Sequence, residues 1–134
     1  MTTIVCPVFI NIPRKTKKDK KVNLNQNTFH TLHYHDYAKA KQLFYEQIYP
    51  QIKDMWEIDD AISLIFTYYH GRKVLGDLSN HCVIVDKFFS DCLVQAWIIP
   101  SDDYTVIKEV MYSYGGYDKD KDRVEVSIVN LNSF

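Results

Sequence analysis

Hydrophobic and polar positions recur with different periods along this chain, and the changes of period divide it into predicted elements. Apolar and polar side chains come close to alternating from Thr3 to Ile12, just before Pro13, which predicts a first β-strand. From about Leu32 to Lys53, apolar residues recur every three or four positions, which predicts an amphipathic helix. Pro50 is expected to kink that helix or to end it early.

The second half of the chain predicts a buried strand and a second helix. The run from Ala61 to Tyr69 is β-branched and aromatic with little charge, as in a central strand. Asp77 or Ser79 can cap a helix whose apolar face follows, and this helix leads to an acidic turn near residue 102.

Two further strands are predicted at the carboxyl end. The runs from Tyr104 to Tyr114 and from Arg123 to Leu131 are rich in β-forming residues. Gly115 and Gly116, followed by alternating charges, predict a hairpin loop that joins the two strands.

The order of predicted elements is strand, long loop, helix, strand, helix, strand, strand. This order indicates a mixed α/β (α+β) fold with about four strands in one sheet and two main helices packed on one face. A chain of 134 residues is long enough for one core and too short for two ordinary domains, so we expect a single domain over 1–134.

The cysteines and the hydropathy pattern bear on the cellular compartment. Cys6, Cys82 and Cys92 are odd in number, have no CxxC spacing and fall in predicted strand or helix, which argues against a disulfide framework. The amino terminus has no basic segment before its apolar run, and no stretch approaches about 20 apolar residues. We therefore expect a protein of a reducing, intracellular compartment that neither spans a membrane nor is exported.

The charge is unevenly distributed. A predicted loop over 13–29 holds a segment with six basic residues and one acidic residue, in a chain of net charge −1. A loop of this length in a small domain is more often functional than idle. The turn after the central strand adds His70 and two more cations as possible phosphate contacts. The predicted DNA-binding residues are Arg14, Lys15, Lys17, Lys18, Lys20, Lys21, Arg72 and Lys73.

Carboxylates mark both ends of the second predicted helix. Asp77 precedes the helix, and Asp102 and Asp103 follow it, so a chain that returns to the sheet can bring them together. Converging carboxylates repel one another unless cations lie between them, which favours a hard divalent ion such as Mg²⁺. Together with the basic loop, this set is typical of metal-assisted phosphodiester hydrolysis. A helix cap, a turn and a solvated lysine run are the corresponding structural alternatives.

His30, His33 and His35 are a second possible metal set. No cysteine or carboxylate lies at zinc-finger spacing from them, and neighbours on a helix cannot all face one ion. We expect solvated or phosphate-contacting histidines. The chain is also rich in aromatic residues, with ten Tyr, seven Phe and two Trp, which can fill the core or stack on a ligand.

One motif series resembles a known family. Asp77-Leu78-Ser79-Asn80 opens the helix, Asp86-Lys87 and Asp91 lie within it, and Asp102-Asp103 precedes a strand. This series is similar to that of the RusA family of Holliday junction resolvases, in which an Asp-Leu-Asp-Asn stretch opens a helix carrying a Lys and an Asp. The proline-containing first strand, basic loop and first helix also occur in the family's order, so the resemblance covers most of the chain.

The resemblance implies a specific activity. Members of this family are crossover junction endodeoxyribonucleases, encoded mainly by bacteriophages and prophages, that act in DNA recombination and repair. They work as homodimers and use Mg²⁺ or Mn²⁺ to nick four-way junctions symmetrically. The resemblance therefore implies an enzyme of the bacterial cytoplasm with branched DNA as its substrate.

The resemblance also assigns roles to single residues. Asp77 and Asp103 would be catalytic metal ligands, and Asp102 is the alternative third carboxylate. Lys87 would contact the phosphate or the transition state if four residues are inserted after Asn80, because four residues nearly complete one helical turn. Asn80 would position the site.

Ser79 stands where the family has its second aspartate. A hydroxyl can bind a metal-held water, but it brings no negative charge, and Asp86 lies about two turns further along the helix. A catalytically weak relative that binds branched DNA or a protein partner is therefore the alternative function. A small α/β protein without a nucleic-acid role is a third hypothesis.

Overall fold

The computed structural model describes residues 2–73 and 75–131. Over these residues the chain forms two antiparallel or mixed sheets and three helices. In chain order the elements are β1 (Thr2–Cys6), β2 (Phe9–Ile12), β3 (Lys20–Asn23), α1 (Gln26–Phe29), α2 (Tyr34–Ile52), β4 (Ile62–His70), α3 (Leu78–Gln95), β5 (Ile107–Tyr117) and β6 (Arg123–Asn130).

The main sheet has four strands in the order β1-β6-β4-β5, and this confirms the predicted mixed α+β fold class. β4 pairs parallel with β5 and antiparallel with β6, and β6 pairs antiparallel with β1. The prediction that 61–69 forms a central strand is confirmed, since β4 lies between two neighbours and Ile62, Leu64 and Phe66 are buried.

The core lies between this sheet and helices α2 and α3. Phe88 of α3 meets Phe44 of α2 edge to face, with ring centroids 5.5 Å apart. Phe89 meets Phe66 of β4 in the same manner at 6.1 Å. All four rings are buried, and burial of each phenylalanine stabilises the fold by roughly 1.5–3 kcal/mol. These contacts hold α3 against the sheet and α2, and they thereby position its first turn relative to β4.

The predicted first strand is two strands in two different sheets. β1 belongs to the main sheet, whereas β2 pairs with β3 in a separate two-stranded sheet. Pro7 lies between them and has no backbone N–H to donate to a continuing ladder. Both strands have the same period of two, so the pattern of side chains could not reveal the break.

The basic loop over 13–29 is ordered in its second half, which corrects the prediction of one continuous loop. Lys20 and Lys21 lie on β3 and pair in register with Ile12 and Asn11. Residues 26–29 form α1, and the Asn25 side chain caps it by accepting a hydrogen bond from the Thr28 backbone N–H at 2.8 Å.

Helix α2 does not end early at Pro50 but continues to Ile52. Proline removes one hydrogen bond from the last turn, and packing compensates because Ile48 and Ile52 are buried. The Gln51 side chain also binds the backbone of Val5, donating to its carbonyl oxygen at 2.8 Å and accepting from its N–H at 2.9 Å.

The predicted hairpin between the last two strands is wrong. β5 and β6 lie on opposite sides of β4, and the connection over 118–122 crosses the end of β4, where Asp118 N–H donates to the His70 carbonyl oxygen. The two glycines lie inside β5 at a register shift. A Cβ on Gly115 would lie 2.6 Å from the Tyr69 ring, so the glycine admits this close approach.

Two structural findings bear on the features from which the compartment was predicted, the cysteines and the helices. Cys6, Cys82 and Cys92 are buried and free. None of the helices within 2–73 and 75–131 is both long enough and apolar enough to cross a membrane.

Candidate nucleic-acid interface

Two adjoining cavities lie where the end of β4 meets the start of α3. Their volumes are about 230 Å³ and about 280 Å³. Both are lined by Tyr68 and His70 of β4, Leu75 of the following loop and His81 of α3. We call this continuous depression the α3 cleft.

Aromatic and imidazole rings form the wall of the α3 cleft. The rings of Tyr68 and His81 stack with centroids 4.6 Å apart and planes 15° from parallel. Tyr114 of the edge strand β5 joins the wall, and its hydroxyl lies 2.8 Å from the Nε2 atom of His70. Residues 68 and 70 point to one face because side chains alternate along a strand. The wall therefore combines flat surfaces with hydrogen-bonding groups.

Basic residues from two separate segments meet at the α3 cleft. Lys21 of β3 and Arg72 of the loop after β4 both line it. Lys73, next in sequence, lies over the Tyr117 ring, 5.7 Å from its centroid. The structure thus brings the predicted phosphate contacts of the basic loop and of the later turn to one end of the sheet.

The other basic residues of 13–20 are arranged differently. Lys20 forms a salt bridge of 2.6 Å with Asp36, and the hydrogen bond from Lys20 lowers the pKa of that carboxyl. The Arg14 side chain donates to the Lys18 carbonyl oxygen at 2.8 Å. Lys15, Lys17 and Lys18 are exposed. Much of this segment therefore offers positive charge to solvent, whereas the charge of Lys20 is paired.

Asp77 is the residue before the first turn of α3, and its side chain is exposed. Asp77 occupies the N-cap position that the helix-cap alternative predicts. Its carboxylate, however, accepts no capping hydrogen bond from the first turn of the helix. Gly76 and Leu78 on either side line the α3 cleft. The pKa of His81 is lowered mainly by burial, while the Asp77 carboxylate acts in the opposite direction.

Ser79 and Asn80 have different environments. Ser79 is exposed, whereas the Asn80 side-chain oxygen accepts a hydrogen bond from the Asn27 backbone N–H at 3.2 Å. Asn80 thereby connects α3 to α1, the short helix that follows the basic segment.

A second acidic group lies further along α3. The Asp86 carboxylate accepts hydrogen bonds from the Tyr112 hydroxyl at 2.6 Å and from the Ser90 hydroxyl at 3.3 Å. Burial raises the pKa of Asp86, and the nearby charge of Asp102 acts in the same direction. Lys87 is exposed and its charge favours the ionised form of Asp86. Nine residues of helix separate this group from Asp77, about 13 Å.

Asp103 organises the loop that precedes β5. Its carboxylate accepts hydrogen bonds from the Ser101 hydroxyl at 2.7 Å and from the hydroxyl and backbone N–H of Thr105, the latter at 2.8 Å. These donors lower the pKa of Asp103 to about 2. Asp103 therefore forms the local hydrogen bonds of a turn residue, as the structural alternative for this residue predicts.

The predicted convergence of Asp77, Asp102 and Asp103 on one ion is not present in this arrangement. Throughout 2–73 and 75–131, no group of three or more His, Cys, Asp or Glu side chains is placed to hold a metal ion. The three histidines near α2 include His33, whose ring accepts a hydrogen bond from the His35 backbone N–H and caps the helix. As placed, the carboxylates do not fit a complete divalent-metal site.

Sequence reasoning missed Tyr68, His81, Tyr112 and Tyr114 as parts of the site. Two of them had a signal in the sequence. Tyr68 lies two residues before His70 and so shares its face of the strand, and His81 lies four residues after Asp77 and so shares its face of the helix. Tyr112 and Tyr114 had no such signal, because only the pairing of β5 with β4 brings them near α3.

No protein-family model matches this chain, and no curated protein matches its sequence. The functional interpretation therefore depends on the residues themselves and on the motif series from Asp77 to Asp103.

Proposed function

We propose that this protein is a metal-dependent, structure-selective endonuclease that resolves four-way (Holliday) DNA junctions by paired phosphodiester hydrolysis. It would act in recombination or replication of a bacteriophage or prophage, in the bacterial cytoplasm. One observation carries the proposal. Asp77, an exposed carboxylate without a capping bond, lies between Gly76 and Leu78, which line one cavity of the α3 cleft, while Lys21 and Arg72 line the adjoining cavity. The motif resemblance from Asp77 to Asp103 agrees with this chemistry.

The residues of the cleft have distinct tasks in this proposal. Lys21 and Arg72 bind backbone phosphates, and the exposed lysines before β3 extend the contact along the DNA. Asn80 keeps α1 against the first turn of α3. Mg²⁺ or Mn²⁺ would neutralise charge and activate a water in a reaction of this class, and Asp77 and Asp103 are the carboxylates that the motif resemblance assigns to the ion. Asp77, Asp86 and Asp103 do not form one three-ligand group within the described residues.

Paired nicks need two active sites, so the proposal includes a homodimer. β5 is an edge strand of the main sheet, and its exposed side chains outside the α3 cleft include Val110 and Met111. A long edge strand with apolar side chains can pair with another chain. This edge is therefore a surface on which a second copy can dock.

The test is nicking of a labelled synthetic four-way junction in Mg²⁺ and in Mn²⁺. We expect paired, symmetric nicks from the native protein and from the control Asp54→Asn, which changes an exposed carboxylate after α2. Asp77→Asn and Asp103→Asn should each lower the rate by on the order of 100-fold or more, since removal of a catalytic electrostatic group typically costs that much. Nicking by Asp77→Asn at the native rate would contradict the proposal.

A binding module without cleavage is the second candidate. It is favoured by Ser79, which is exposed and uncharged, and by the lack of a three-ligand metal group within the described residues. Tight junction binding with no nicks in either metal would support it. Asp103→Asn would then leave DNA affinity unchanged, because no metal-dependent step exists to be lost.

A further inference from the structure

The α3 cleft has the volume of a small-ligand site. Its two adjoining cavities have volumes of about 230 Å³ and about 280 Å³, which together lie in the range of about 300–1,000 Å³ typical of small-molecule pockets. One unpaired base with its phosphate is a flat ring system next to a charge. The cleft offers the same two features, a ring wall and a cationic rim.

The ring wall is preformed. Tyr68 and His81 stack on each other at 4.6 Å, and Tyr114 stands beside His70 with a hydrogen bond of 2.8 Å. Tyr68 and His81 already cover one face of each other, so a base can stack only on ring faces that this pair leaves open or on Tyr114; such stacking accepts every base, because each base has a π-face. Burial lowers the pKa of His81, so at neutral pH its imidazole is uncharged and offers one hydrogen-bond donor and one acceptor.

Positive and negative side chains both lie near the ring wall, and the two cations are in the first cavity. Lys21 and Arg72 line the first cavity from β3 and from the loop after β4. Asp122 lines the same cavity, and Asp77 acts electrostatically on His81 from the start of α3. Two cations against one carboxylate thus line the first cavity, whereas neither Lys21 nor Arg72 lines the second, which holds Tyr114.

We propose that the α3 cleft binds one unpaired nucleotide of single-stranded or branched DNA, with its base at the Tyr68, His81 and Tyr114 wall and its phosphate at Lys21 and Arg72. This inference rests on the proposed nucleic-acid role but not on cleavage. It names the feature of a junction that the protein recognises, a base released from pairing at the branch point.

The test compares two oligonucleotides of equal charge. One is an eight-residue oligothymidylate, and the other has the same phosphates with abasic sugars at all eight positions. In fluorescence anisotropy the native protein should bind the first at least about fivefold more tightly. His81→Ala and Tyr114→Ala should remove this difference, and Arg72→Ala should weaken both oligonucleotides by the same factor. Tyr104→Ala, which changes an exposed tyrosine outside the cleft, is the control.

Three results would overturn the inference. They are equal affinity of the native protein for the two oligonucleotides, absence of binding to both, and a base preference that survives in His81→Ala and Tyr114→Ala. Tyr114 is exposed, so its variant remains informative if His81→Ala fails to fold. Junction nicking by the same proteins separates the two proposals, because a base preference without nicks would reject the nuclease and keep the nucleotide site.

Discussion

At the scale of single residues, the environment of each carboxylate differs more than the sequence indicates. Asp77 is exposed at the start of α3, Asp103 is surrounded by hydroxyl and N–H donors, and Asp86 lies partly buried under Tyr112. These environments lower the pKa of Asp103 and raise the pKa of Asp86. Aspartate therefore stabilises a loop at position 103, precedes a helix at position 77 and accepts a hydrogen bond from a neighbouring strand at position 86.

Asp86→Asn is expected to stabilise the protein at neutral pH. The pKa of Asp86 is above its usual value of 3.8 because burial disfavours the charged form, so the native state binds this proton more tightly than the unfolded chain. The ionised side chain consequently lowers stability as pH rises through the raised pKa, and the neutral amide avoids this loss. The amide oxygen can still accept the hydrogen bond from Tyr112.

Thermal unfolding at pH 7 and at pH 4 measures this effect. The midpoint of Asp86→Asn should exceed that of the native protein at pH 7, and the difference should shrink as pH falls toward 4. Asp59→Asn, an exposed carboxylate, is the matched control and should show no such pH-dependent gain. A lower midpoint for Asp86→Asn at pH 7 would show that the charge itself stabilises α3 against β5.

At the scale of elements, the type of each long segment followed from its period, but the pairing of segments did not. The helix over 34–52 and the strand over 62–70 lie close to their predicted bounds. β1 and β2 were predicted as one strand, and β5 and β6 as a hairpin. In both cases the alternation of side chains indicates that a segment is an extended strand. It does not indicate which other strand that segment pairs with.

Gly115 shows how strand pairing places a residue that local pattern misassigns. Two consecutive glycines followed by charges are typical of a turn. Here Gly115 lies within β5, where a side chain would meet the Tyr69 ring and the Thr67 methyl group, and Gly116 has a φ of +130°. Gly115 is thus required by the close approach of the neighbouring strand, and Gly116 by its own positive φ, within a strand and not in a turn.

Gln51→Ala tests the connection between α2 and the edge of the main sheet. Loss of the two hydrogen bonds to the Val5 backbone should reduce the free energy of unfolding by about 1 kcal/mol, because water can replace part of this contact at the exposed edge. Urea unfolding measures the change. Gln47→Ala, one turn earlier on α2 and exposed, should change stability by less than about 0.5 kcal/mol. Equal losses in both variants would mean that helix propensity or packing is responsible.

At the scale of the whole molecule, the fold brings cations from two distant segments of the chain to one cleft. The basic segment before β3 and the turn after β4 are distant in sequence, and the α3 cleft receives Lys21 from one and Arg72 from the other. Such an arrangement favours a polyanion whose affinity depends on salt.

The salt dependence of DNA binding should distinguish exposed from paired lysines. Lys17→Gln should reduce the magnitude of the slope of log affinity against log salt concentration by about 0.9 if Lys17 contacts a duplex phosphate. Lys20→Gln should reduce it less, because Lys20 is already bound to Asp36 at 2.6 Å. Junction affinity between about 50 mM and 200 mM salt provides the measurement. Slopes unaffected by either change would remove the basic segment from the proposed interface.

The sequence by itself determined the fold class, the central position of β4 and the two main helices, because hydrophobic periodicity reflects which face of an element is buried. It also marked the charged residues and Asp77 as candidates for chemistry. Only the tertiary structure decided which of them meet. The stack of Tyr68 on His81, the approach of Tyr114 to His70 and the hydrogen bond from Tyr112 to Asp86 depend on strand order and on how α3 packs on the sheet. Contacts between segments distant in the chain are set by packing, and no local pattern encodes them.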